Sequence, residues 1–278
     1  MSPPTSAVVV DDLVRTLRSA GCVFAEDEAD LLIAAAGSSA ELSELTRRRV
    51  AGEPLEQVVG WAEFCGLRIA VAPGVFVPRR RTGFLVRCAV DLLEARRSTT
   101  GRPDKAPVAL DLCCGTGAIG IALVAAAGQV ELHAADVDPV AVNCARQNIG
   151  GAGTVYLGDL FEPLPTTLQG RVDILTANVP YVPTAAIALM PPEARLHENI
   201  AALDGGSDGL SVLRRVGASA AEWLAPGGHL LVETSEQQAP SAAEIFARDG
   251  LTASTVVSDE YGATVVTGTR SPDRRRGA

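Results

Sequence analysis

Metal chemistry has little to work with in this chain. Its 278 residues include six cysteines and three histidines, yet no two cysteines form a C-x-x-C pair, and His133, His197 and His229 stand alone. The ligand spacings of structural and catalytic metal sites are missing. Cys22, Cys65, Cys88, Cys113, Cys114 and Cys144 therefore read as small apolar fillers of a reduced protein. No stretch approaches the roughly 20 apolar residues of a membrane-spanning helix. Asp11 and Asp12 interrupt the only early apolar run, so no signal peptide is expected and a cytoplasmic, soluble protein is. Positive charge is also scarce: 24 Lys and Arg against 33 Asp and Glu, a net charge of -9. Neutralising phosphates with Lys and Arg drives nucleic-acid binding, so such a chain is a poor general binder and has room only for a local basic patch. No internal repeat is visible.

What the chain has is apolar bulk, 47% of its residues, enough for one large core and a smaller domain. Residues 1–52 read as helices, over Val8 to Ala20 with Asp11 or Asp12 as cap, Glu26 to Ala36, and Ser38 to Val50. In the last of these, Glu41 and Glu44 lie near the start and Arg47, Arg48 and Arg49 near the end, an order that complements a helix dipole and reads as a solvated helix end. Residues 53–82 change character: Gly60, Gly66, Pro73, Gly74 and Pro78 punctuate two short alternating runs, Trp61 to Phe64 and Leu67 to Val71, which predict a β-hairpin linker. Residues 83–270 form the third unit, opening with a helix from Gly83 to Arg96 and a polar loop from Ser98 to Pro107. The Arg274-Arg275-Arg276 tail, within 271–278, is expected to be a disordered end.

Val108 to Val124 organises that third unit. An apolar strand ends at Asp111, Gly115, Gly117 and Gly120 punctuate a tight turn, and an Ala/Ile/Leu/Val helix follows. Strand, glycine turn and helix open a nucleotide-binding α/β sheet whose ligand sits over the turn. Gly115-Thr-Gly117-Ala-Ile-Gly120 fits the dinucleotide fingerprint. A carboxylate at Asp111 would repel a pyrophosphate but suit a cationic group. S-adenosylmethionine, with its amine and sulfonium and no phosphate, meets that condition. Strands then alternate with helices: Val130 to Ala135, Thr154 to Leu157, Val172 to Ala177 and Gly228 to Thr234. Thr252 to Ser258 and Ala263 to Gly268 are too close in sequence for a parallel crossover and must be antiparallel. The fold class is α/β, a Rossmann-like sheet with an antiparallel C-terminal strand, beside a small helical domain.

Four successive strands end in Asp111, Asp136, Asp159 and Asn178, all opening onto the ligand-binding edge of the sheet. Asp136 stands where a carboxylate accepts from both ribose hydroxyls, and Asp159, beside Leu160, where one accepts from the adenine amino group. Asn178-Val179-Pro180-Tyr181 is the sharpest signal. Val179 precedes a proline and is held extended. Its carbonyl and the Asn178 side-chain carbonyl can together accept both hydrogens of one NH2 group, with Tyr181 stacked on a planar amide or base. An amide nitrogen is a poor nucleophile because its lone pair is delocalised. Holding both hydrogens favours pyramidalisation and aims the nitrogen at the methyl donor.

These residues resemble the class I S-adenosylmethionine-dependent methyltransferases that act on planar NH2 groups. Glu53-Pro-Leu-Glu-Gln57, Gly60-x-x-Glu-Phe64, Val77-Pro-Arg79 with Thr82, Ala202 to Leu210 and Leu224 to Glu233 resemble the HemK/PrmC-type protein-(glutamine-N5) methyltransferases in particular. The resemblance implies that Asp111, Cys113, Cys114, Gly115, Thr116, Gly117, Asp136, Val137, Asp159, Leu160 and Asn178 form the cofactor site. It also implies that Asn178 to Tyr181 hold a glutamine of a release factor, a ribosomal protein or another protein substrate, and that the N-terminal helices and hairpin dock it. The chain departs from the family pattern in four places. Val179 replaces the first proline of Asn-Pro-Pro-Tyr. Cys113-Cys114 replaces Gly-Thr. Pro78-Arg-Arg-Arg-Thr-Gly83 replaces Pro-Arg-Pro-Glu-Thr-Glu, and Glu198-Asn-Ile200 replaces Glu-Pro-Arg. More arginine at the entrance suits an acidic or RNA-bound protein partner and suggests a diverged paralogue. A nucleic-acid adenine or cytosine amino-methyltransferase and a non-catalytic S-adenosylmethionine-binding module are the alternatives. The acidic whole weighs against the first, and the intact Asn178 and Tyr181 against the second.

Overall fold

The computed structural model describes residues 7–100 and 105–272. Four helices come first: α1 Ala7–Ser19, α2 Ala25–Ala35, α3 Ser39–Val50 and the short α4 Leu55–Val59. Ser38 caps α3 by accepting from the Glu41 amide. Asp11 and Asp12 lie inside α1 rather than at its cap, and Asp12 pairs with Arg15 one turn on. Leu13, Leu17, Leu32 and Leu45 close a small core of their own with Val58 from α4. The hairpin β1 Trp61–Phe64 and β2 Leu67–Ala70 is antiparallel, as the alternation predicts, and α5 Gly83–Thr100 follows.

The remaining elements are β3 Val108–Leu112, α6 Ala118–Ala127, β4 Glu131–Asp136, α7 Pro139–Ile149, β5 Gly153–Leu157, β6 Val172–Ala177, α8 Pro192–His197, α9 Ser211–Trp223, β7 Leu224–Thr234, α10 Ala239–Arg248, β8 Leu251–Ser258 and β9 Ala263–Arg270. Seven strands form one sheet in the order β5-β4-β3-β6-β7-β9-β8. β3, β4, β5, β6 and β7 run parallel, and β9 is antiparallel to both its neighbours. Every residue of β3 is buried, as a strand covered by helices on both faces requires. The chain leaves β3 first toward β4 and later, through β6, toward the other side. The switch point of the sheet is therefore at β3, and the carboxyl ends of β3 to β6 open there.

Some boundaries move from the sequence expectation. The helix expected from Gly209 begins at Ser211 because Gly209 takes a positive φ of 75°. A side chain there would lie 2.2 Å from the Tyr181 carbonyl oxygen. β7 begins at Leu224 rather than Gly228, its first residue already registered on Val172. The segment expected to be a plain loop from Val182 to Asp208 carries α8 and two short 3-10 turns. Residues 101–104 of the expected polar loop and 273–278 of the expected tail lie outside the described residues.

Candidate active site

The carboxyl ends of β3 to β6 share a cavity of about 600 Å3, within the range of small-molecule and cofactor sites. Cys113, Cys114, Gly115, Thr116, Asp136, Val137, Asp159, Leu160 and Asn178 to Tyr181 all line it. The sequence-predicted residues that do not are Asp111 and Gly117. Asp111 is fully buried beneath the turn. Its Oδ1 accepts from the Thr176 hydroxyl at 2.9 Å and its Oδ2 from the Gly120 amide at 3.1 Å. Burial pushes its carboxyl up to about 7. Asp111 thus ties β3 to β6 and to the start of α6, and it does not face a cationic ligand as expected. Gly117 begins α6 at φ 75°, and a side chain there would meet Ile149 at 3.0 Å and Ala145 at 3.2 Å. Its role is to let α6 pack on α7.

Asp136 does reach the cavity. Its Oδ2 accepts from the Gly115 amide at 2.8 Å and its Oδ1 from the Asp138 amide at 2.9 Å. Each carboxylate oxygen keeps acceptor capacity beyond that one bond. Burial, the largest influence, raises its carboxyl above the usual range against the pull of those amides. Burial likewise pushes the Cys113 and Cys114 thiols well up, so they line the turn as neutral groups and not as thiolates. Asp159 is held by Arg215 at 2.7 Å.

The far end of the cavity is built by β6 and the chain after it. Val179 is buried in the core that also holds Leu210 and Val232, so valine does the packing where the family pattern has proline. Gly205 and Gly209 press against the other side of this loop: a side chain at Gly205 would lie 2.6 Å from the Pro180 oxygen. Gln238 Nε2 donates to the Tyr181 carbonyl at 2.9 Å and to the Asp208 carbonyl at 3.0 Å. Held on both sides, the loop presents the Asn178 side chain, whose Oδ1 is buried without a hydrogen-bond partner. A buried amide oxygen left unmet costs roughly 1–3 kcal/mol, and here it borders the cavity. The Thr82 hydroxyl, also bordering the cavity, is the second such atom.

The entrance differs from its sequence reading. Arg79 donates to Glu198 Oε1 at 2.6 Å, and Arg81 to Glu233 Oε1 at 2.8 Å and to the Tyr181 hydroxyl at 2.6 Å. Arg79 and Arg81 are spent on buried carboxylates and are not free for an acidic or RNA-bound partner, while Arg80 between them is exposed. Arg49, read as part of a solvated helix end, is buried and pairs with Glu28 of α2 and Glu193 of α8, each at 2.6 Å. Arg47, which pairs with Glu44, is the exposed one. Sequence reasoning missed Arg49, Gln238 and the partnerships of Glu198 and Glu233. The Arg-rich departure at 79–81 was the available signal, and the long separation of the partners hid its meaning.

With the geometry in place, the comparisons decide the family. The Methyltransferase small domain family matches residues 92–190. A release factor glutamine methyltransferase of Geobacter sulfurreducens is 37% identical over 81% of this chain and 76% of its own length. The chain belongs to the release factor glutamine methyltransferase family. A 4-amino-L-phenylalanine/4-methylamino-L-phenylalanine methyltransferase of Streptomyces pristinaespiralis is also 37% identical, over 73% of this chain and 68% of its own. The hMettl16 catalytic domain, solved with an RNA hairpin, covers 83% of each chain at a TM-score of 0.56 and 15% identity, a likeness of fold alone.

The enzyme is a methyltransferase and S-adenosylmethionine its cofactor. The cavity fits that molecule. Its lining arginines, Arg79, Arg81 and Arg215, are each paired with a carboxylate, so none is left over for a phosphate. Asp136 keeps acceptor capacity at the end of β4. Among the described residues, no helix is long and apolar enough to cross a membrane.

Proposed function

We propose that this enzyme transfers a methyl group from S-adenosylmethionine to the side-chain amide nitrogen, N5, of a glutamine in a protein substrate such as a release factor or ribosomal protein. The observation that carries this reading is the buried, unpartnered Asn178 Oδ1 at the cavity wall. An acceptor in that state calls for an N–H donor, and a carboxamide NH2 supplies two.

In this reading Asp136 receives the ribose hydroxyls, Leu160 and Asp159 flank the adenine, and Cys113 to Thr116 with Val137 shape the rest of the cofactor site. Bound there, S-adenosylmethionine supplies an electrophilic methyl carried on a sulfonium. Asn178 Oδ1 and the Val179 carbonyl accept the two amide hydrogens and favour a pyramidal nitrogen whose lone pair is free. As the nitrogen gains positive charge, the same two oxygens stabilise it. Their position is fixed beforehand by Gly205, Gly209 and Gln238, so little reorganisation accompanies the reaction. No base is needed first, because the proton leaves to water after the bond to carbon has formed. Residues 1–52 dock the substrate protein, residues 53–82 link the halves, and residues 83–270 carry the chemistry. Release factors act in the cytoplasm, and that is the setting this reading implies.

The Streptomyces relative supports a second reading, in which the acceptor is a small aromatic amine: by its name, its substrate carries a planar amino group on a ring. Incubation of host extract with enzyme and labelled S-adenosylmethionine, followed by separation into protein, nuclease-sensitive and small-molecule fractions, distinguishes the readings. Label in protein, resolved to N5-methylglutamine on hydrolysis, is expected. Label confined to small molecules supports the aromatic amine, and label lost to nuclease removes both.

A further inference from the structure

Arg81 lies in the Pro78-Arg-Arg-Arg-Thr-Gly83 run at the cavity entrance. Its Nε donates to Glu233 Oε1 at 2.8 Å and its Nη2 to the Tyr181 hydroxyl at 2.6 Å. The Tyr181 hydroxyl in turn donates to the same Glu233 oxygen at 3.3 Å. The three groups close a ring: guanidinium to carboxylate, guanidinium to phenol, phenol to carboxylate. Glu233 is nearly wholly buried at the end of β7. Arg81 thus supplies the cation that this buried carboxylate requires.

The ring has a consequence for the substrate end of the cavity. Both hydrogen-bonding roles of the phenol, accepting and donating, are used inside the protein. Tyr181 therefore offers an incoming acceptor group the face of its ring and not its hydroxyl. Its main chain is pinned by Gln238, and Arg81 pins the other end of the side chain. We propose that Arg81 is a positioning residue that locks the Tyr181 ring beside Asn178, holding a planar NH2-bearing group flat in the pocket. This rests on the proposed amide grip for its kinetic arm only.

The test incorporates 3-fluorotyrosine and reads fluorine NMR. The chain has three tyrosines, and Tyr181→Phe assigns the Tyr181 signal. Arg81→Met is made alone and together with Glu233→Gln, so that one variant leaves no buried carboxylate unpaired. In both, the Tyr181 signal is expected to move toward that of a freely rotating fluorotyrosine while the Tyr156 signal, beside His133, stays in place. A Tyr181 signal unmoved in both variants overturns the clamp, whatever the substrate proves to be. The kinetic arm is a double-mutant cycle on the labelled-methyl rate in extract. Arg81→Met and Tyr181→Phe each lower it about 10-fold, and the double variant loses about 10-fold as well, because the two act as a unit. Losses that multiply to about 100-fold mean that Arg81 acts without Tyr181 and contradict the proposal. If no fraction takes up label while the fluorine shift occurs, the clamp stands and the glutamine reading falls.

Discussion

The two halves of the cavity are held together by different physics. On the cofactor side several contacts run from backbone to side chain over short separations, the Gly115 amide to Asp136, the Gly120 amide to Asp111 and the Asp138 amide to Asp136, beside two side-chain contacts, Thr176 to Asp111 and Arg215 to Asp159, across 65 and 56 residues. On the substrate side they are ion pairs spanning more than a hundred residues: Arg79 with Glu198, Arg81 with Glu233, Arg49 with Glu193. The backbone contacts are set by the turn after β3 and the adjoining end of β4. The ion pairs of the substrate side depend on which side chains arrive from distant segments, and so they can be rewired without disturbing the fold. Of the departures, Arg81 and Val179 lie on that side and Cys113-Cys114 on the cofactor side.

If the contrast is real, breaking a substrate-side pair should cost the most stability. The Glu198 side chain is fully buried and Arg79 is its only cationic partner among the described residues. Arg79→Met should destabilise the fold by about 3 kcal/mol, the cost of a buried charge left unpaired. Adding Glu198→Gln should recover most of that loss. Urea unfolding of both variants checks this, and equal losses in the two would mean that packing, not charge, holds the segment. Next in size, and on the other side, Asp136→Ala should weaken S-adenosylmethionine binding about 10-fold or more, roughly 1.4 kcal/mol, with little change in unfolding. Calorimetric titration would show it, and an unchanged dissociation constant removes Asp136 from the site.

Asp111 sharpens the comparison through pH. Its folded-state pKa of about 7 stands above the ordinary carboxylate value of 3.8. The folded protein therefore holds a proton that the unfolded chain gives up. Stability from this group is complete below about pH 4 and is lost as pH rises through about 7. Asn mimics the protonated acid: its oxygen can accept from the Gly120 amide and its NH2 can donate to the Thr176 hydroxyl. Asp111→Asn should match the native protein near pH 4 and exceed it at pH 8 in urea unfolding. A variant less stable at pH 8 would mean that the carboxylate form is the one required. The smallest effect belongs to the surface: Arg47→Ala breaks an exposed pair with Glu44 and should change stability by no more than about 0.5 kcal/mol.

The same contrast decides how much could be read in advance. The strand, turn and helix at Val108 to Val124 are local, so hydrophobic period and glycine spacing place them, and the polar ends of β3 to β6 follow from the alternation of strands and helices. The face of a strand end is not local. Asp111 sits at the expected position but turns toward Thr176 of β6 and the first turn of α6, because those neighbours, unknown from the strand itself, receive it. The entrance arginines read as free charge for the same reason: Glu198 and Glu233 lie 119 and 152 residues from Arg79 and Arg81. The place of Asn178 at the cavity wall was legible because the residues that shape its loop, Val179, Pro180 and Tyr181, are adjacent in the chain.

The proposed function turns on the grip of Asn178 on the methyl acceptor. It is tested most directly by measuring, for Asn178→Ala, both the S-adenosylmethionine dissociation constant and the labelled-methyl rate. The account predicts a rate reduced about 100- to 1,000-fold, as when one preorganised transition-state partner is removed, with the dissociation constant changed less than about 3-fold, under 1 kcal/mol. An undiminished rate, or a rate that falls only in proportion to weakened cofactor binding, would contradict it.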